Sequence, residues 1–251
     1  MKQKGLSQEG IKLIACVTML IDHVAAVLIS ARLMNNLPEY AAQLLSVHYL
    51  MRIIGRIAFP IYCFLLVEGV YHTRNPKKYG LRLFIGMLLS EIPFDLAFSF
   101  RGYVFFDWTS NSVMVTLLLG FCMLEGMKRV EGFRKLLMIL PFYILAEICN
   151  TDYAGMGILL IAVFALTRGQ AHEKLLCLIG CFLILTSGDR NFQIFGIWIP
   201  LKAFALLALI PIFCYDGRKL TSSKALQWGF YLFYPVHLLA LTLLEILIFG
   251  R

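Results

Sequence analysis

Charged residues are scarce in this sequence: Asp, Glu, Lys and Arg make up 15% of its 251 residues, whereas hydrophobic residues make up 60%. Soluble globular domains have about 25% charged residues, so the composition argues against that class. The sequence also lacks a Gly-rich phosphate loop, an RNA-binding pattern and the Cys/His spacing of a zinc module. The net charge of +8 therefore does not indicate a nucleic-acid-binding protein, and we expect neither a nucleic-acid partner nor a bound metal.

Long polar linkers and low-complexity segments are missing as well, and apolar stretches fill the chain instead. A membrane-spanning helix needs about 20 apolar residues, and we count nine candidate spans, some short enough to be tilted or partly re-entrant. The spans are residues 10–30, 45–71, 79–100, 111–127, 134–150, 153–168, 173–187, 195–214 and 226–249. We predict an all-α, polytopic membrane protein in which residues 1–251 form a single integral membrane domain. Because no small-residue cleavage site follows residues 10–30, we expect a retained first span and not a signal peptide.

The basic residues are distributed unevenly between alternate loops. Of the 23 Lys and Arg residues, 16 lie at the N-terminus and in every second loop after it, and four lie in the other loops. Cytoplasmic loops carry the excess of Lys and Arg, so the N-terminus is predicted to be cytoplasmic and the C-terminus outside. Three cations belong to no loop, namely Arg52, Arg56 and Lys202.

Ionisable side chains inside the spans are the main functional signal. Each costs roughly 2.5–3.5 kcal/mol at the centre of a membrane, so each needs a partner or a function. The candidates are Asp22, His23, Arg52, Arg56, Glu91, Asp95, Glu147, Lys202 and His237. Apart from Glu147, all are predicted to lie between the midplane and the outer half of the membrane, where one shared polar site is possible.

Two pairs of these charges share a helix face. Arg52 and Arg56 are four residues apart, as are Glu91 and Asp95. Such pairs would also serve simply to hold helices together, so that structural alternative stays open.

Five other residues have both a structural and a functional interpretation. The adjacent Asp22 and His23 suit an orienting carboxylate and a general base. His237 follows Pro235 and would either bind substrate or satisfy a carbonyl at a helix break. Lys202 would either bind substrate or extend to the outer rim of the membrane. Asn111 opens the fourth span, where it would be an N-cap.

Three stretches of the sequence resemble the TraX family of integral membrane proteins. They are IKLIACVTMLIDHVAAVL, then MRIIGRIAFPIYCFLLVEGVYHTRNPKKYGLRLFIGMLLSEIPFDLAF, and finally KALQWGFYLFYPVHLLAL. The most specific parts are Asp22-His23, R-x-x-x-R followed by IAFPI, the HTRNPKKY loop, SEIPFD and FYP-x-H. The resemblance covers nearly the whole chain.

The resemblance implies an acetyl-CoA-dependent acyltransferase of the bacterial cytoplasmic membrane. The family is named for a conjugation-operon protein that acetylates the amino terminus of pilin subunits. It is also similar in plan to acyltransferase-3 membrane enzymes, whose first-span histidine His23 would match. Arg52 and Arg56 would match their arginine pair, with a spacing one residue wider here.

On this interpretation His23, oriented by Asp22, deprotonates the acceptor, while Arg52 and Arg56 bind CoA phosphates or the developing oxyanion. The acceptor is a peptide amine, an envelope sugar or a small molecule. Glu91 and Asp95 would position the arginines or bind the acceptor amine. The other candidates for binding acceptor or CoA are Lys202, His237, Asn111, Arg74, Lys77 and Lys78. Two alternatives stay open: a transporter of a polar solute, and a non-catalytic assembly factor of an envelope or conjugation complex.

Overall fold

The computed structural model describes residues 5–35, 40–98, 105, 107, 109–170, 175, 191–194, 197–221 and 223–249. Helices dominate the described part of the chain. The contacts divide the protein into two units, one formed by Met1–Tyr62 with Phe182–Arg251 and the other by Cys63–Cys181.

The first unit begins with one long helical segment and a second helix packed on it. Helix α1 continues through a π-helical turn into α2, and α1 also contacts α3 and the last described helix, Lys224–Phe249. The bounds are α1 Gln8–Val24, the π-helical turn Ala25–Ile29, α2 Ser30–Asn35 and α3 Ala41–Gly55. Ser7 is the N-cap of α1, since its hydroxyl accepts the N–H of Gly10 at 3.1 Å. Helix α4 (Ala58–His72) runs from the first unit into the second.

The chain returns to the first unit near its C-terminus. An antiparallel hairpin of β1 and β2 leads into a 3-10 helix, α10 and the long helix α11. The bounds are β1 Asn191–Ile194, β2 Ile197–Pro200, the 3-10 helix Leu201–Ala208, α10 Leu209–Phe213 and α11 Lys224–Phe249. The hairpin is a departure from the predicted all-α fold.

The second unit is a group of packed helices whose core is apolar. Helix α6 contacts α5, α8 and α9, and α8 and α9 form a tight helical hairpin. The bounds are α5 Pro76–Phe98, α6 Val113–Met127, α7 Arg134–Leu137, α8 Ile139–Ile148 and α9 Ala154–Leu166. Met123 and Leu124 of α6 and Ile158 and Ile161 of α9 are fully buried, so the hydrophobic effect holds these helices together.

Three helical segments of the described chain are long and apolar enough to cross a membrane: Gln8–Met34, Ala41–His72 and Lys224–Phe249. Shorter apolar helices occupy Val113–Met127, Ala154–Leu166 and Leu201–Phe213. The protein is therefore a helical membrane protein, as the composition predicts.

Three predicted spans differ in detail from the structure. Residues 134–150 are divided at Met138 into α7 and α8. Residues 45–71 were expected to form one helix, but a turn at Arg56 and Ile57 separates α3 from α4. Residues 195–214 were expected to be helical throughout, yet helix begins only at Leu201. The β-branched and aromatic residues of β2 favour a strand, and Pro200 is restricted to its end. The predicted span 173–187 lies outside the described residues, apart from Leu175.

The segment before α1 is hydrogen-bonded to the loop between α10 and α11. The N–H of Leu6 donates to the carbonyl of Cys214 at 2.6 Å, and the N–H of Gln8 donates to the carbonyl of Arg218 at 2.8 Å. The Glu9 carboxylate accepts the N–H of Leu220 at 2.9 Å. These two basic segments, both predicted to be cytoplasmic, therefore lie at the same end of the first unit.

Candidate functional site

Asp22 of α1 binds both Arg52 of α3 and Arg56, the C-cap residue that follows this helix. Its Oδ2 lies 2.6 Å from Nη1 of Arg52 and 3.1 Å from Nη2 of Arg56, while Oδ1 lies 3.0 Å from the same Nη2. Asp22 is 7% exposed and the arginines are half-buried. The helical spacing of Arg52 and Arg56 brings the two guanidinium groups to one carboxylate. We refer to these three residues as the Asp22–arginine cluster.

Gly55, which was not among the residues predicted from the sequence, makes room for this cluster. It is the last residue of α3 and is buried directly against Asp22, so that any Cβ atom at position 55 would overlap the carboxyl group. The helix then tightens, because the N–H of Arg56 is shared between the carbonyls of Arg52 and Ile53 at 3.2 Å each. A glycine between two intramembrane arginines, in RIIGR, was the available signal.

The imidazole of His23 lies against that of His237 in α11. Nδ1 of His23 is 2.6 Å from Nε2 of His237, and the two rings are nearly parallel, with centroids 4.9 Å apart. Nδ1 of His237 lies in turn 2.6 Å from the carbonyl oxygen of Phe233, one helical turn earlier. The ring of Tyr234 lies edge-on to both imidazoles. We refer to His23 and His237 as the histidine pair.

The structure distributes the contacts of Asp22 and His23 differently from the sequence-based expectation. Asp22 was expected to orient the neighbouring imidazole, but both of its oxygens bind guanidinium groups, and Nδ1 of His23 faces His237. Adjacent residues of an α-helix point in directions about 100° apart, so the two side chains meet different helices. His237 was expected to satisfy a carbonyl or bind substrate, and it does bond the Phe233 carbonyl.

Glu91 and Asp95 were expected to position the arginines or bind the acceptor, but the carboxylate that holds the arginines is that of Asp22. Glu91 and Asp95 belong to the second unit, where each accepts hydrogen bonds from a residue of that unit. Glu91 accepts the hydroxyl of Ser112 at 2.6 Å and the N–H of the same residue at 3.3 Å. Asp95 accepts the N–H of Asp107 at 2.9 Å. The buried Glu91 therefore lies at the start of α6, where a carboxylate also stabilises the positive end of the helix dipole.

The other predicted site residues are dispersed. Asn111 is not an N-cap, since Ser112 holds that position, and the Asn111 amide donates to the carbonyl of Cys149 instead. Lys202 is half-buried in the first turn of the 3-10 helix. The basic loop residues are exposed around the start of α5; they are Arg74, Lys77 and Lys78. Among the described residues, no three His, Cys, Asp or Glu side chains are grouped as a metal site would require.

Comparison with known proteins gives the family. The model of the family described as TraX protein matches residues 7–245. The chain is 30% identical over 241 residues to a protein of Dichelobacter nodosus named "Probable fimbrial assembly protein FimC, serogroup H1", covering 91% of both chains. It is 26% identical to "Uncharacterized protein RP591" of Rickettsia prowazekii, covering 78% of this chain and 69% of the relative. No solved structure matches significantly.

Proposed function

This chain belongs to the TraX family, and from that premise we propose that it is a membrane-embedded acyltransferase. It transfers an acetyl group from acetyl-CoA to an amine or hydroxyl acceptor. The observation that carries the proposal is the Asp22–arginine cluster. In this cluster Asp22, the residue next to His23, holds two guanidinium groups.

In the proposed reaction His23 is the general base. The acceptor heteroatom attacks the carbonyl carbon of the thioester and gives its proton to the imidazole as the new bond forms. The carbon–sulfur bond then breaks, and the same proton passes to the leaving CoA sulfur. His23 is half-buried, whereas His237 is only 6% exposed, which favours His23 as the residue that meets substrate.

The arginines supply positive charge for this step. Two guanidinium groups share one carboxylate, so the Asp22–arginine cluster has a net charge of +1. Such a charge favours either a CoA phosphate or the oxyanion that develops on the thioester carbonyl. Asp22 holds both groups in fixed positions, and this preorganisation is what electrostatic stabilisation of a transition state requires.

The remaining polar positions are assigned to binding in the same proposal. Glu91, Asp95, Asn111 and Lys202 would bind the acceptor. The exposed Arg74, Lys77 and Lys78 would bind the anionic tail of CoA. The relative named as a fimbrial assembly protein makes the amino terminus of a pilin subunit one candidate acceptor. Envelope sugars and small molecules are the others.

We also propose that the nine-span topology places the protein in the bacterial cytoplasmic membrane with its N-terminus inside. The hydrogen bonds between the segment before α1 and the loop before α11 support this, because both segments are predicted to be cytoplasmic and their described residues lie on one side. Acetyl-CoA would then enter from the cytoplasm.

The test is acetyl transfer by purified protein with labelled acetyl-CoA and a panel of peptide, sugar and small-molecule acceptors. His23→Ala and Arg56→Ala should each lower transfer by about 10²–10⁴-fold. His72→Ala is the control, since that histidine is exposed at the end of α4. Full transfer by His23→Ala would show that this residue is not the base.

A non-catalytic assembly factor is the second candidate, and the printed name of the Dichelobacter relative favours it. The two candidates differ in their response to CoA. An acyltransferase is stabilised against thermal unfolding by CoA, because a ligand that binds the folded state raises the unfolding temperature. An assembly factor shows no such shift and consumes no acetyl-CoA.

A further inference from the structure

The histidine pair forms a hydrogen-bonded chain that ends on a backbone carbonyl. Phe233 O, Nδ1 and Nε2 of His237, and Nδ1 of His23 follow one another with both gaps at 2.6 Å. All four atoms belong to α1 and α11, which pack against each other in the first unit. A chain of this kind fixes which nitrogen of each ring holds the proton.

The direction of the chain follows from its fixed end. A carbonyl oxygen only accepts hydrogen bonds, so Nδ1 of His237 must hold a proton. In a neutral ring Nε2 of His237 is then an acceptor, and the donor opposite it must be Nδ1–H of His23. The lone pair of a neutral His23 is thereby placed on Nε2, the nitrogen on the far side of the ring from His237.

We propose that His237 is a positioning residue that selects this tautomer of His23 and shares the positive charge formed during transfer. The proposal rests on the acyltransferase function. When Nε2 of His23 takes the acceptor proton, the Nδ1 proton moves to Nε2 of His237, and the charge then lies on a ring held by the Phe233 carbonyl. The protons return by the same route when the CoA sulfur is protonated.

Burial separates the roles of the two rings. His237 is 6% exposed and is enclosed by Phe233 and Tyr234, whose rings lie 4.7 and 5.8 Å from its own, centroid to centroid. It is therefore placed to act through His23 and not on substrate directly. A group that hydrogen-bonds the other nitrogen of a catalytic or metal-binding imidazole has this function in many sites, and its loss lowers activity or metal affinity by about 10–100-fold.

The test compares His237→Leu with His237→Gln in the full chain, labelled with ¹⁵N-histidine and reconstituted in lipid nanodiscs. The amide oxygen of glutamine accepts a hydrogen bond near the position of Nε2, whereas leucine fills the space and accepts none. In the wild type and in His237→Gln, we expect the ¹⁵N spectrum to show Nε2 of His23 unprotonated. In His237→Leu the proton shifts to Nε2.

Turnover should follow the tautomer. We expect His237→Leu to lower kcat by about 10²-fold with KM changed less than about 2-fold, and His237→Gln to recover at least a tenth of wild-type kcat. His48→Leu is the matched control, because His48 bonds Ser30 outside the histidine pair.

The outcomes separate this inference from the proposed function. If the wild-type spectrum shows the expected tautomer but no acetyl is transferred, the acyltransferase proposal is wrong and the histidine chain stands. An unchanged His23 tautomer in His237→Leu overturns the positioning role. If that variant does not fold, the wild-type spectrum decides. A His23 ring that is protonated at Nε2 and unprotonated at Nδ1 contradicts the hydrogen-bonded chain of the two histidines.

Discussion

Gly55 lies so close to Asp22 that the carboxyl group occupies the space where a Cβ atom would be. Gly55→Ala should therefore displace Asp22 and separate it from Arg52 and Arg56. Because misplacement of a reacting group by about 1 Å can cost 10²-fold in rate, acetyl transfer should fall by about that factor. The measurement is the rate of transfer from labelled acetyl-CoA.

Gly229 provides the matched control for this substitution. It lies inside α11, and nothing lies within 4 Å of the Cβ that alanine would add. Gly229→Ala should leave transfer unchanged and stabilise the helix by about 0.5–1 kcal/mol. Equal activity of the Gly55 and Gly229 variants would contradict a spatial role for Gly55.

Asp22 should be needed for stability as well as activity. Removing one partner of a buried ion pair typically costs about 3–5 kcal/mol, because the other charge is left uncompensated. Asp22→Asn should lower the free energy of unfolding in detergent by about this amount. The double variant Asp22→Asn/Arg52→Gln should lose less than the two single losses together, since it removes an opposing charge too. Strict additivity would show that the pair is not coupled.

The sequence was sufficient to predict the class of protein and to identify Asp22, Arg52 and Arg56 as intramembrane charges, but not that they bind one another. Apolar length identifies a helical membrane protein, and four-residue spacing predicts that Arg52 and Arg56 share a face. Asp22 stands out because a charge inside the membrane is costly and therefore needs a partner or a function. None of these arguments requires knowledge of which helices are neighbours.

The partners of each side chain were not predictable, because they depend on helix packing. The pairing of His23 with His237 joins residues 214 positions apart. Local spacing favoured Asp22 as the partner of His23, and packing of α1 against α3 directed that carboxylate to the arginines instead. The strand at Ile197–Pro200 was missed because a short apolar run does not distinguish strand from helix by periodicity.

Ser112 should stabilise the second unit through Glu91. Both residues are buried, and the Ser112 hydroxyl donates to the carboxylate at 2.6 Å. Ser112→Ala leaves that oxygen without its donor, so the free energy of unfolding should fall by about 1–3 kcal/mol. Ser90→Ala is the control: Ser90 is equally buried, but its hydroxyl donates only to the Gly86 carbonyl of its own helix. A loss in the Ser90 variant as large as that in the Ser112 variant would contradict the assignment.

Ala154 begins α9 with a φ of +44°, a backbone conformation that alanine rarely adopts. For residues with a Cβ this region costs roughly 1–2 kcal/mol, and glycine is free of that cost. Ala154→Gly should therefore raise the thermal unfolding midpoint. Ala162→Gly in the middle of the same helix should lower it, since glycine there loses backbone entropy and a buried methyl group. Destabilisation by both substitutions would show that position 154 is not strained.

The contact between the segment before α1 and the loop at Asp216 should loosen in acid. The backbone N–H of Arg218 is the main cause that holds the pKa of Asp216 below its ordinary value, and the Arg218 side chain and the Gly5 backbone act in the same direction. A depressed pKa in the folded protein stabilises the contact above the ordinary aspartate pKa, and that stabilisation is lost as the pH falls through the lowered value. Hydrogen exchange of residues 5–9, corrected for intrinsic rates, should therefore rise only in that acidic range. In Asp216→Asn the acid-dependent rise should become smaller, and the part that persists belongs to the Glu9 carboxylate, which accepts the N–H of Leu220 in the same contact. An unchanged profile in Asp216→Asn would assign the whole rise to a different carboxylate.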